Sequence, residues 1–100
     1  VAGAHLFYMG NLDADAARPD LGEPVEKADV LQALSDSFDF GTAILSGQTD
    51  ASLQEMVDGG YLGEATRARI AYSAMIHTRQ EYGVMTVYLR LNDIVPPASR

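Results

Sequence analysis

A histidine and a glutamate lie four residues apart in the stretch His-Thr-Arg-Gln-Glu-Tyr-Gly, from His77 to Gly83. Side chains at positions i and i+4 of a helix share one face, so the two groups are within reach of each other. A neutral imidazole and a carboxylate are also good ligands for Zn, Ni, Mn or Fe. The spacing therefore permits a divalent-metal site with His77 and Glu81 as ligands. It equally permits a structural pair in which Glu81 accepts a hydrogen bond from His77.

A metal site needs more than these two side chains, because catalytic sites usually combine three protein ligands with a water. His5 is the candidate within the chain, since it lies on an early helical segment that could pack against the last one. Its alternative is a structural histidine, either at a helix surface or with its ring nitrogens satisfied in the core. Asp13 and Asp15 are expected to be solvated.

The elements that must position these residues follow helical patterns. Apolar residues recur at three- and four-residue steps in three long segments, approximately 1–17, 26–46 and 63–92, and a shorter helix is expected at 49–55. The last helix closes before Pro96-Pro97, since consecutive prolines cannot continue a helix. No strand is predicted, because the β-prone run 84–89 continues a helical pattern. The predicted fold class is all-α, with three main helices and a short one in a single domain over 1–100.

Two apolar stripes mark the predicted core faces. On the second helix the stripe comprises Leu31, Leu34, Phe38, Ala43 and Leu45. On the last helix it comprises Ile70, Ala74, His77, Glu81, Val84 and Tyr88. Gly83 lies inside that last helix; it indicates either close packing of another helix against it or room for a ligand near Glu81.

Composition excludes several classes of function. The chain has 14 acidic and 7 basic residues, a net charge of −7, which argues against nucleic-acid or anionic-membrane partners. It contains no cysteine, so disulfides, thiolate zinc sites and cysteine nucleophiles are excluded. No apolar run reaches the roughly 20 residues that span a bilayer. A glycine-rich phosphate loop and a nucleophile elbow are also absent from the sequence.

Several stretches together resemble one family. After 77–83 comes a Tyr-Leu-Arg run in 86–91, and then a Pro-Pro-x-Ser tail in 94–99. This order is similar to the C-terminal signature of DinB-like proteins, in which an H-x-x-x-H pair precedes Tyr-Gly. The segment 1–8 resembles that family's second helix, and 26–39 resembles the opening of its third.

The resemblance implies an up-down four-helix bundle, often dimeric, with a divalent metal held by three histidines. His77 occupies one ligand position unchanged, and Glu81 occupies a second with a different donor. The third histidine would fall immediately before Val1, and the family's first helix is also missing, so the domain is expected to be N-terminally incomplete. His5 does not replace that histidine, because it lies about 140° around the helix from the family position.

Two functional hypotheses follow. The first is a metal-dependent enzyme acting on a small molecule, with no organic cofactor and a homodimeric assembly; the resemblance implies thiol-dependent transfer or hydrolysis. The alternative is a metal-free helical bundle that serves as a binding or dimerisation module and retains a degenerate metal site. The compartment stays open: the cytoplasm is the default, unless an export signal precedes Val1.

Overall fold

The computed structural model describes residues 1–99 and is mostly helical, as predicted. Its elements, in chain order, are α1 (Ala2–Leu12), α2 (Lys27–Ser46), α3 (Asp50–Leu53), β1 (Met56–Asp58), β2 (Glu64–Thr66) and α4 (Arg67–Leu91). Short 3₁₀ turns occupy Gly60–Leu62 and Pro97–Ser99. The three long helices and the short one are therefore confirmed, whereas the four-helix bundle remains a prediction.

Helix α1 is the element around which the others are arranged. It packs against both α2 and α4, which make far fewer direct contacts with each other. It runs parallel to α2, because His5 meets Ser37 and Met9 meets Gly41, so the up-down order expected of consecutive helices does not hold for this pair. It runs antiparallel to α4, because the N-terminal end of α1 shares a cavity with Glu81 whereas His5 meets Thr78. The two longer helices consequently leave a trough between them with α1 as its floor.

The core is small and lies at one end of the trough. Its buried members are Tyr8, Met9, Leu12, Ile44, Ala65, Ile70 and Ala74. They come from α1, α2, β2 and the first half of α4, so the hydrophobic contribution to folding is concentrated in this region.

The predicted core stripe of α2 is wrong. The buried residues of this helix are Ala33, Ser37, Gly41 and Ile44, whereas Leu31, Phe38, Ala43 and Leu45 are exposed and Leu34 is half-buried. The physical reason is close approach: a Cβ added at Gly41 would lie 3.2 Å from Met9 Cγ, so the small-residue stripe is the one that admits α1. Larger apolar side chains are thereby turned towards the trough and solvent.

The predicted core stripe of α4 is correct only for its first half. Ile70 and Ala74 are buried, His77 and Glu81 are half-exposed, and Val84 and Tyr88 are exposed. Nothing lies within 4 Å of a Cβ added at Gly83, so the close packing expected there is not formed by the described residues. The helix thus continues well past the core.

The two-stranded sheet was not predicted, and the all-α assignment is corrected to that extent. Strands β1 and β2 pair antiparallel, with Val57 opposite Ala65. The turn between them requires Gly60 and Gly63, whose φ angles of 65° and 66° are unfavourable for other residues. The last helix was predicted to begin near residue 63. Thr66 instead caps the start of α4 at Arg67, because its hydroxyl accepts a hydrogen bond from the Arg69 amide at 3.2 Å.

The first helix is shorter than predicted, ending at Leu12 rather than near residue 17. Asp13 adopts an extended conformation, and its carboxylate accepts a hydrogen bond from the Asp15 amide at 3.2 Å. This local bond offers the backbone an alternative to the helix. No helix within residues 1–99 has the length and apolar character needed to cross a membrane.

Candidate functional site

The predicted ligands His77 and Glu81 lie beside each other on α4. His77 Nε2 and Glu81 Oε1 are 3.9 Å apart, and the side chains are 33% and 44% exposed. This separation is too long for a hydrogen bond. The two side chains are therefore neighbours, but the expected hydrogen bond between them is not formed. Both side chains are partly accessible from solvent.

Two tyrosines border His77 that the sequence analysis did not single out. The Tyr8 ring centroid lies 6.0 Å from that of His77, and the Tyr8 hydroxyl is hydrogen-bonded to the Tyr61 hydroxyl. That hydrogen bond and then burial raise the pKa of Tyr8 to about 12. The hydroxyl is consequently un-ionised at neutral pH and can serve as a neutral donor or acceptor. Tyr8, Tyr61 and His77 line a cavity of about 210 Å³.

The described residues do not supply a complete metal centre. Within 1–99 there is no group of three or more histidine, cysteine, aspartate or glutamate side chains placed to hold one ion. His77 and Glu81 fit two ligand positions, because both donors are adjacent and partly exposed. A further ligand would have to come from outside these residues or from solvent.

His5 is a structural histidine in the core, with both ring nitrogens in hydrogen bonds, which was one of the alternatives expected from the sequence. Its side chain is 8% exposed and joins all three long helices. Nδ1 lies 3.1 Å from Ser37 Oγ on α2, and Nε2 lies 2.9 Å from Thr78 Oγ1 on α4. The Phe38 ring packs edge-on against the imidazole, with centroids 4.4 Å apart. Since both nitrogens are occupied, His5 cannot ligate a metal without losing one of these bonds.

The protons of the His5 network are coupled. Ser37 Oγ also lies 2.7 Å from the Leu34 carbonyl, and Thr78 Oγ1 lies 2.9 Å from the Ala74 carbonyl. Each hydroxyl has one proton, so both can donate to these carbonyls only if both imidazole nitrogens donate to the hydroxyls. A neutral His5 has one N–H, and one hydroxyl must then turn and donate to the ring.

Burial decides the charge of this network. It lowers the pKa of His5, and the nearby His77 lowers it further. The imidazole is therefore neutral at neutral pH, with one hydroxyl reoriented towards it. The signal for this arrangement in the sequence was weak: Ser37 and Thr78 lie on helices whose relative position the sequence does not specify.

No protein-family model matches the chain, and comparisons with curated proteins and with solved structures likewise found no match. The DinB-like resemblance therefore remains a prediction that rests on the motifs quoted above.

Proposed function

We propose that the chain is a DinB-like helical domain that takes part in metal-dependent chemistry on a small molecule, with His77 and Glu81 as two ligands of a divalent ion. The observation that supports the proposal is the 3.9 Å separation of His77 Nε2 and Glu81 Oε1 on one face of α4. Zn, Ni, Mn and Fe all accept this donor pair. The homodimer implied by the resemblance forms part of the same proposal.

The chain's own residues define what such a site would offer. His77 supplies an imidazole nitrogen and Glu81 a carboxylate oxygen, while the hydrogen-bonded hydroxyls of Tyr8 and Tyr61 beside His77 can hydrogen-bond a polar substrate group. A divalent ion bound there would act as a Lewis acid on a bound water or substrate oxygen. A carboxylate in place of a histidine makes the ligand set harder and more anionic.

Metal content measured by mass spectrometry tests the proposal. The protein is purified without an affinity tag or chelator, both as isolated and after incubation with Zn, Ni, Mn and Fe(II). We expect about one equivalent of metal per chain, as for a single catalytic site, and its loss in both His77→Ala and Glu81→Gln. Glu64→Gln, which removes an exposed carboxylate from the sheet, is the matched control and should retain the metal. Absence of metal after all four incubations would refute the proposal.

A second candidate function is a metal-free module for binding or dimerisation. It is favoured by the second half of α4, where a run of apolar side chains is exposed: Tyr82, Val84, Met85, Val87, Tyr88 and Leu91. Contiguous exposed apolar surface commonly marks an interaction site.

Sedimentation velocity distinguishes this candidate from the first. A module for dimerisation predicts an assembly that Val87→Glu dissociates, and that survives His77→Ala unchanged. A monomer at every concentration tested would argue against dimerisation, and the metal measurement would then decide between the remaining hypotheses.

A further inference from the structure

The trough between α2 and α4 contains a cleft that neither functional candidate uses. We define the α2–α4 cleft by Phe38, Thr42 and Leu45 on α2 and by Ala71, Met75 and Arg79 on α4. Its volume is about 280 Å³, and His5, Ser37 and Thr78 contribute to its floor. Ligand pockets are usually roughly 300–1,000 Å³, so the cleft suits a small ligand. His77 and Glu81 do not line it, so the inference is independent of the metal proposal.

The walls of the cleft are apolar and only partly covered. Phe38, Leu45 and Met75 are between 42% and 50% exposed, although each faces this space. The exposure follows from the packing of α2, whose small-residue stripe is taken up by α1. An apolar ligand body entering between these three side chains would remove their surface from water, which is favourable.

The charge in the cleft is positive, in a chain whose net charge is −7. Arg79 is the one charged side chain among the described lining residues, since no aspartate or glutamate lines the cleft and His5 is neutral. Arg79 makes no ion pair with any residue in 1–99. Its guanidinium therefore offers an unused set of donors at the rim, with a geometry that matches a carboxylate.

We propose that the α2–α4 cleft binds a small amphipathic carboxylate, with the apolar body between Phe38, Leu45 and Met75 and the carboxylate on Arg79. The cavity that contains Glu81 adjoins the cleft at Phe38 and Thr78. Its negative charge directs the acid group of the ligand away from that side and towards Arg79. The ligand class is thus an aliphatic or aromatic acid with a body of modest length.

The test compares octanoate with 1-octanol, which have the same number of carbon atoms and differ in charge. The protein is labelled with ¹³C at its methionine methyl groups and titrated by NMR. Met9 and Met75 line the cleft, whereas Met56 lies on β1 with an exposure of 58%, close to the 50% of Met75. We expect the signals of Met9 and Met75 to shift and that of Met56 to stay fixed.

Charge recognition is tested by a matched pair of substitutions on α4. We expect octanoate to bind at least about tenfold more tightly than 1-octanol, because hydrogen bonds between ionised groups are the stronger class. Arg79→Gln should abolish that preference. Arg69→Gln removes an exposed arginine outside the cleft and should leave the preference for octanoate unchanged. Thr42→Phe places a ring in the cleft from an exposed helical position and should prevent binding of both probes, with circular dichroism confirming the fold.

Several results would overturn the proposal. They are an absence of shifts at millimolar octanoate, a shift of Met56 equal to that of Met75, and equal affinities for acid and alcohol. Unchanged binding in Thr42→Phe would place the ligand elsewhere and would also overturn it. So would concentration-dependent shifts of Met9 and Met75 without ligand, accompanied by dimer formation in sedimentation, because a second copy would then occupy the cleft.

Discussion

The two halves of α4 are built from similar residues but stand in opposite surroundings. In the first half, Ile70 and Ala74 are buried against α1, and Thr78 hydrogen-bonds His5. In the second half, Val84, Val87 and Leu91 are exposed, and His77 and Glu81 lie at the boundary. Apolar periodicity therefore identifies this helix along its whole length, but packing against α1, α2 and β2 determines which part of it is core.

The largest contrast is expected between one apolar truncation in each half. Ile70→Ala removes a side chain with 0% exposure and should lower the free energy of unfolding by about 3 to 4 kcal/mol, through lost burial and the cavity left behind. Val84→Ala should change it by about 0.5 kcal/mol or less, because Val84 is half-exposed. Urea denaturation measures both. Equal losses would show that the second half of α4 is packed in solution.

The two histidines provide a second contrast. His5→Ala should cost about 2 kcal/mol, since it removes a buried ring and two hydrogen bonds between helices. His77→Ala should cost about 0.5 kcal/mol or less in metal-free protein, because its ion-pair partner within residues 1–99 is a partly exposed carboxylate. A larger loss for His77 than for His5, under the same denaturation conditions, would reverse the comparison.

The same two residues should differ in how they respond to pH. The pKa of His5 is lowered in the folded chain, so below about 6.5 the unfolded state binds a proton that the folded state does not. The contribution of His5 to the free energy of unfolding is therefore fully present above pH about 6.5 and falls as pH decreases towards the folded pKa. His5→Gln should remove this part of the decline, and His77→Gln should leave most of it in place, because burial is the largest cause of the lowered pKa of His5. Identical pH profiles for His5→Gln and the parent would contradict the assignment.

The smallest effect concerns one glycine in each environment. Gly83→Ala should stabilise the protein by about 0.5 to 1 kcal/mol, because the added methyl group meets nothing and alanine favours the helix. Gly41→Ala places its methyl group 3.2 Å from Met9 Cγ, and this close contact should offset the same gain. Thermal unfolding compares the two variants. Equal stabilisation would indicate that α1 and α2 can separate slightly without cost.

These contrasts also show what the sequence could predict. The long helices were found because apolar spacing and proline breaks are local signals. The sheet was missed because Gly60 and Gly63 mark a turn without specifying whether strands or helices flank it. The core face of α2 was missed because hydrophobicity alone selects Phe38 and Leu45, whereas close approach of α1 selects Ser37 and Gly41. Which face of α2 is buried depends on the packing of α1 and α2 together and cannot be read from the sequence of either helix alone.

In the candidate site, too, residues placed by local spacing were predicted and residues placed by long-range contacts were not. His77 and Glu81 were found because their i, i+4 spacing is sufficient to place them together. Tyr61 and the partners of His5 were not found, since these contacts join residues 32 to 73 positions apart. The placement of Arg79 was not found either. Its position at the rim of the cleft depends on the same long-range packing.

The bond between His5 and Thr78 has a consequence for synthesis of the chain. It joins residues 73 positions apart, so α1 is translated well before the helix that covers it. At 5–20 residues per second this interval is about 4 to 15 seconds. An 11-residue helix is too short to be stable alone in water. Until α2 and the later partners follow, Phe7, Tyr8 and Met9 are therefore open to chaperones and to neighbouring chains.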